Sequence, residues 1–209
     1  MKILGTSFYN RDDVVTIARD LIGKVIITNF NDLTTSARIV ETEAYNGIVD
    51  KASHAFGGRH TNRTSVMFGN GGHAYVYLIY GIHHLFNVVT NDHGTPHAVL
   101  IRGVEPLQGK SIMLERAGKS VADATLTRGP GNVSKALGIN TTHTGMALTE
   151  PPIIIADDGF KVPADSIIST KRIGVDYAAE DAFLPYRFIV KGNKYVSGNK
   201  AQNAPFIDY

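Results

Sequence analysis

The chain has no cysteine among its 209 residues, which excludes disulfides and thiolate metal ligands and fits a reducing compartment. Its stability must come from packing. It also has no apolar run long enough for a signal peptide or a membrane-spanning helix, so the expected setting is the cytoplasm. No segment matches a Walker loop, a dinucleotide fingerprint or a His-Glu-x-x-His arrangement. His83 and His84 are adjacent and would point opposite ways on a strand, while His93 and His97 fall in a Gly/Pro turn region. Neither a metal nor a cofactor is expected. Net charge is nearly absent as well, at +2, so the total gives no argument for a nucleic-acid partner.

The most informative absence is local. Residues 51 to 90 contain no Asp or Glu, against three Lys/Arg, five histidines and repeated tyrosines. By contrast, residues 1 to 50 carry five basic and seven acidic side chains, residues 91 to 150 six and five, and residues 151 to 209 seven of each. The positive field is therefore confined to one stretch. Immediately before it stand Glu41-Thr42-Glu43 and Tyr45. Two carboxylates beside an acid-free, aromatic-rich segment are what is expected where an anionic polymer with flat bases is held against a catalytic carboxylate.

A chain of this length supports one well-buried core, and residues 1–209 are expected to form one domain. Asp12 and Asp13 ahead of Val14, Ile17, Ala18 and Leu21, with Gly23 after them, predict an amphipathic helix. Strands are predicted at Lys24 to Thr28 and Thr34 to Tyr45, joined by a turn. On the second of these, Ile39, Glu41, Glu43 and Tyr45 share a face provided no bulge intervenes. Residues 56 to 72, rich in glycine and polar groups, read as a long loop or a pair of turns. His73 to Tyr80 and His84 to Thr90 predict a hairpin with Tyr80 to His83 at its tip, where a tyrosine is exposed. A strand over Val99 to Val104 and a helix over Gln108 to Ala117 come next. Arg128-Gly-Pro-Gly-Asn132 leads into a short helix over Val133 to Leu137, which Asn132 would cap. The free N–H groups there, next to Arg128, read equally as an anion site or as a capped helix in a solvated loop. Further strand-like segments lie near Ile153 to Ala156, Ile167 to Val175, Arg187 to Val190 and Tyr195 to Ser197.

Hydrolysis of an acetal-like bond to a sugar needs a carboxylate that orients and deprotonates water while cationic character grows at the anomeric carbon. Glu43 fits that role. Glu41, two residues back on a strand, lies roughly 6.5 to 7 Å away along the backbone, which also permits an inverting carboxylate pair in a glycoside hydrolase. Rings at Tyr45, His54 and Tyr77 favour a base over a glycan, because an extruded base is sandwiched between flat surfaces while a wedge such as Tyr80 fills the vacated stack. A third reading, a non-catalytic nucleic-acid-binding module with incidental glutamates, also fits the composition.

Arg38-Ile-Val-Glu-Thr-Glu-Ala-Tyr45, His54, Asn62-Arg63, Met67-Phe68, Tyr75-Val-Tyr-Leu-Ile-Tyr-Gly81, Asn87, Arg102-Gly-Val-Glu-Pro106 and Gly129-Pro130 occur in this order. With them the chain resembles the 3-methyladenine (alkyladenine) DNA glycosylases of the mammalian alkyladenine type, which also occur in bacteria. The resemblance runs from Phe8 to the strand around Arg187 to Val190. It implies an α+β fold: a single compact domain with a curved, mainly antiparallel sheet, surrounding helices and a projecting β-hairpin. It also implies that Glu43 activates water, that Tyr45 and His54 form one side of the pocket and Tyr77 the ring opposite, and that Asn87 crowds the exocyclic amino group of normal guanine. Tyr80 matches the tyrosine that enters the minor groove, and Ile82 an apolar neighbour at the same wedge. Arg102 matches an arginine placed at the phosphate beside the flipped site, and Glu41 a glutamate of supporting role. Arg63, within its motif, and Arg128 are further basic residues expected to face DNA.

The resemblance further implies a monofunctional enzyme, in keeping with the absence of a lysine beside Glu43 in sequence. Such an enzyme would act as a monomer on double-stranded DNA containing a damaged purine (3-methyladenine, 7-methylguanine, hypoxanthine or ethenoadenine), without a cofactor, and would associate with the nucleoid. His83 and His84 stand where larger aromatics occur in relatives, and the turn between Asn87 and Arg102 is longer than in the mammalian type.

Overall fold

The computed structural model describes residues 1–206. Along the chain it forms β1 (Lys2–Ile3), α1 (Thr6–Tyr9), α2 (Val14–Asp20), β2 (Val25–Phe30), β3 (Leu33–Tyr45), β4 (Ala74–Ile79), β5 (His83–Thr90), β6 (His97–Gln108), α3 (Lys110–Ala117) and α4 (Pro130–Leu137). It continues with β7 (Thr149–Glu150), β8 (Ile153–Asp157), β9 (Ile167–Thr170) and β10 (Arg187–Val190). Every described strand pairing is antiparallel, in the order β1-β8-β2-β3-β6-β5-β4, with β10 joining β3 to β9 and β7 flanking β8. The architecture is the α+β one expected.

Period-two alternation divides the sheet into two chemistries. Val76, Phe86, Val88, Val99 and Ile101 face the main core, where α2, α3 and α4 pack with Ile17, Met113, Val133 and Leu137. Tyr75, Tyr77, Leu85, Asn87 and Leu100, their sequence neighbours, turn to the other face and line a cleft. α2 forms as read: Asp13 accepts from the Val15 N–H at 2.9 Å, and Val14, Ile17 and Ala18 are buried.

β3 is the long strand on which the site depends. Its first half pairs with β2 and its second half with β10, while β6 runs along its other edge. Between these halves the register slips twice, leaving Val40 unpaired on β3 and Arg102 unpaired on β6. Such bulges bend a strand and re-aim its side chains. Consequently Ile39 lies in the main core with Ala44, whereas Val40 packs with Ile189 and Tyr195 on the far side. Ile39 therefore does not share a face with Glu41 and Glu43, as unbroken alternation requires.

Other boundaries differ for local reasons. β6 runs from His97 to Gln108, so His97 and Gln108 belong to a strand, and α3 starts after Gly109, whose φ of 75° and closeness to the Thr34 carbonyl demand glycine. α4 begins at Pro130, whose fixed φ suits the first helical position, so Gly129 is the N-cap. Asn132 instead sits inside the first turn, its Nδ2 donating to the Arg128 carbonyl at 3.0 Å. The loop over 56 to 72 contains two short 3-10 turns, Phe56–Gly58 and Ser65–Phe68. Past Thr170, the segment to Val175 is not strand, and neither is Tyr195 to Ser197.

Candidate active site

The cleft has a volume of about 940 Å³. Its walls bring together Tyr45, His54, Arg63, Tyr77, Asn87 and Arg102, with Tyr80 and His83 at the hairpin end and Gly129 to Asn132 at the start of α4. Of the residues anticipated from sequence, Glu43, Ile82 and Arg128 are not on this lining.

Glu43 lies just beneath it. Fully buried, it accepts from the Ile173 N–H on Oε1 at 2.8 Å and from the Tyr45 hydroxyl on Oε2 at 2.8 Å, with Arg102 Nη1 at 3.3 Å from the same Oε2. Tyr45, Arg102 and Ile173 all line the cleft. The carboxylate is thus one layer from the cavity, aimed at it by three donors. Burial, reinforced by the Glu43 charge, holds the Tyr45 phenol well above its ordinary value, so this hydroxyl remains a donor.

Glu41 is a different kind of carboxylate. Oε1 accepts from Arg187 Nε at 2.7 Å, Ser197 Oγ at 2.8 Å and Arg102 Nε at 3.2 Å, and Oε2 accepts from the Ser197 N–H at 2.6 Å. Four donors hold this fully buried carboxylate inside the protein, and three of them come from Arg187 and Ser197, which are not on the cleft lining. A carbohydrase pair would need this group free. Arg187, itself fully buried, spends its remaining donors on Thr170 Oγ1, the Ser197 and Gln202 carbonyls and Asn203 Oδ1.

Arg102 connects the two glutamates. It is only 8% exposed, with Nε on Glu41 and Nη1 on Glu43. Burial acts to lower its pKa, but Glu43 and Glu41 outweigh that and raise it. Its place is in the wall, so any contact with a phosphate is made from inside the cleft and not from the outer surface. Arg63 and Arg128 are exposed.

The aromatic wall is ordered by hydrogen bonds. His54 stacks edge-on against Tyr77 at 4.6 Å between centroids, and its Nδ1 lies 2.8 Å from the Tyr75 hydroxyl. Arg63 Nη2 lies 3.3 Å from His54 Nε2, and the Arg63 guanidinium covers the Tyr77 ring at 4.9 Å. A guanidinium only donates, so Nε2 accepts and the proton belongs on Nδ1. Burial, then the charges of Arg63 and Arg59, push the His54 pKa down to about 4. A neutral imidazole does not repel a cationic base. Between the unfolded value near 6.5 and about 4, the unfolded chain binds the extra proton, so stability is lost as pH falls through that window. By about pH 5 the loss reaches at most ~2 kcal/mol. Urea titrations at about pH 7.5 and 5 are expected to show this slope in the wild type and a flatter one in His54→Asn; parallel slopes would remove the histidine as its source.

At the hairpin end, Tyr80 and Gly81 have φ of 53° and 71°, as a type I′ turn requires, and the Ile82 N–H closes the turn onto the Ile79 carbonyl at 3.2 Å. Tyr80 is 84% and Ile82 71% exposed. The tip is braced behind: the His83 ring packs so closely on Gly131 of α4 that an added Cβ would lie 2.9 Å from Nδ1.

Sequence reading missed Arg172 and Ile173, which flank the site from the segment after β9, and Asp50, which pairs with Arg172. No local cue in the sequence pointed to these three; at Arg187, by contrast, an arginine inside the apolar run Tyr186 to Val190 signals a buried counter-charge.

A family model described as methylpurine-DNA glycosylase matches residues 7–194. Three bacterial relatives share the name "Putative 3-methyladenine DNA glycosylase". That of Desulfitobacterium hafniense is 44% identical over 204 residues, covering 94% of this chain and 99% of its own. The Clostridium perfringens protein is 43% identical, covering 93% and 98%, and the Chlamydia felis protein 44%, covering 92% and 98%. The similarity thus holds at the level of the family and does not single out its mammalian type.

Proposed function

The chain belongs to the methylpurine-DNA glycosylase family, a family of base-excising DNA glycosylases, and from that premise we propose how it works. A damaged purine is rotated out of duplex DNA into the cleft, stacked between Tyr45 and the His54/Tyr77 wall, while Tyr80 and Ile82 fill the gap left behind. Glu43 orients and deprotonates a water that attacks the anomeric carbon as the N-glycosidic bond breaks. Arg102 steadies the carboxylate, and the exposed Arg63 and Arg128 meet backbone phosphates. Water is the nucleophile, so the product is an abasic site in an uncut strand. One subunit presents both pocket and wedge, so the active form is a monomer.

The observation that carries this reading is the asymmetry of the two glutamates. Glu43 is held by three donors that all line the cleft, whereas Glu41 is saturated within the protein. The proposed substrates are 3-methyladenine, 7-methylguanine, hypoxanthine and ethenoadenine. Cationic alkylpurines are favoured by the rings and carry an already weakened glycosidic bond. Duplex DNA with one hypoxanthine or 3-methyladenine tests the proposal: the strand should become alkali-labile at that base and remain intact without alkali. Release of neither base would refute it, and cleavage without alkali would refute the hydrolytic mechanism.

Asn87 supplies discrimination. Its Nδ2 donates to the Tyr75 and Leu85 carbonyls, both at 3.1 Å, which fixes the amide with Oδ1 as its remaining group. Asn87→Ala is expected to raise the rate on guanine relative to hypoxanthine in single-turnover assays by roughly tenfold, the scale set by relieving a crowded contact of 1–3 kcal/mol. An unchanged ratio would remove Asn87 from this role.

A further inference from the structure

Arg172 neither lines the cleft nor touches Glu43, yet it backs the ring expected to hold the base. Its side chain is fully buried. Nη1 donates to Asp50 Oδ2 at 2.5 Å and the Ala44 carbonyl at 2.9 Å, and Nη2 to Asp50 Oδ1 at 2.8 Å and the Asp181 carbonyl at 3.0 Å. Its guanidinium carbon lies 4.9 Å from the Tyr45 ring centroid and 5.3 Å from that of Tyr186. Tyr45 is on the cleft wall and Arg172 is not, so the cation sits on the protein side of that ring. Asp50, equally buried, also accepts the Asn46 and Ala52 N–H groups. This closes the turn that leads from Tyr45 to His54. The pair thus places a positive charge directly behind one stacking surface, with its negative partner locked to it by two hydrogen bonds.

We infer that Arg172 and Asp50 form a charge-compensated backing for Tyr45 that sets how the enzyme divides its activity between cationic and neutral purines. This rests on the cleft being the pocket for a flipped base. A base stacked on the open face of Tyr45, about 3.5 Å from it, lies roughly 8 Å from the guanidinium. At that range, and at an effective dielectric of about 20 to 40, one uncompensated unit charge changes the binding of a cation on the order of tenfold and leaves a neutral base nearly untouched. With both members present the two fields largely cancel, and cationic 7-methylguanine and neutral hypoxanthine are both admitted. Removing one member exposes the other. Arg172 and Asp50 are positioning residues: Arg172 backs Tyr45 and also lies within the field of Glu43, but an effect on Glu43 acts on the water common to both substrates and largely cancels in their ratio.

The test is the ratio of kcat/KM for 7-methylguanine to that for hypoxanthine, each in the same duplex, for the full-length protein and three variants. Arg172→Gln leaves Asp50 unbalanced and should raise the ratio at least fivefold. Asp50→Asn leaves Arg172 unbalanced and should lower it by a similar factor. Arg172→Lys keeps the charge but not the fork, so both efficiencies should fall while the ratio stays within twofold of wild type. A purely structural pair would lower all efficiencies with no opposed shifts, and an unchanged ratio in a folded Gln or Asn variant overturns the inference. Where circular dichroism finds both of those unfolded, Arg172→Lys decides: a ratio within twofold of wild type supports the backing, and a larger shift overturns it. Wild-type protein that excises neither base overturns the glycosylase reading together with this one, whereas wild-type excision with unmoved ratios overturns this one alone.

Discussion

Glu43→Gln is expected to cut single-turnover excision of hypoxanthine by at least about a hundredfold, because general-base assistance contributes roughly 10² to 10⁴. Binding to lesion DNA should stay near wild type. The amide preserves the shape, and its oxygen can still accept from the Ile173 N–H, but its NH2 faces Arg102 where the carboxylate had faced it. Glu41→Gln should behave in the opposite sense. Its carboxylate takes four donors in a fully buried network with two arginines, and breaking such a network destabilises by about 3 to 5 kcal/mol. The measurements are excision rate, lesion binding and urea midpoint for both variants. If folded Glu41→Gln loses catalysis while Glu43→Gln keeps it, the two roles have been assigned the wrong way round.

Tyr80→Ala is expected to lose at least about tenfold in affinity for a duplex carrying an abasic analogue, the scale of one stacked ring at 1–3 kcal/mol, and much less for the same strand unpaired. A single strand offers no vacated stack to fill. The fold should be unaffected, since the ring is 84% exposed and makes no contribution to the core. Fluorescence anisotropy with both ligands, together with circular dichroism, measures this. An unchanged preference for duplex in a folded variant would make Tyr80 an ordinary surface aromatic.

The hairpin was legible because its cues are local: alternation over Tyr75 to Tyr80, a glycine at the bend, and a return strand rich in aromatic and β-branched residues. The same holds for α2, whose cap and apolar stripe lie within ten residues of one another. The arrangement around Glu43 was legible only in part. The Glu-x-Glu-x-Tyr spacing announced a shared face, but the bulges at Val40 and Arg102 that turn Ile39 away and bring Arg102 between the glutamates come from the pairing of β3 with β6. Spacing within one strand carries no record of its partner's register. Asp50, Arg172 and Ile173 were hidden for the same reason, since more than 120 residues separate Arg172 from Asp50. Asn132 was misplaced by a local competition: both it and Pro130 signal a helix start, and Pro130, lacking the N–H that would go unsatisfied there anyway, wins.

Arg187 draws the limits of the molecule further out than the family match does. That match ends at residue 194, yet three of the acceptors around this guanidinium, the Ser197 and Gln202 carbonyls and Asn203 Oδ1, come from residues beyond it. Ser197 also supplies two of the four donors on Glu41. The segment from Ser197 to Asn203 therefore latches the network of Glu41, Arg102 and Glu43, and a recombinant fragment trimmed to the matched region would leave a buried cation with three of its five N–H donors facing empty space, two side chains away from Glu43.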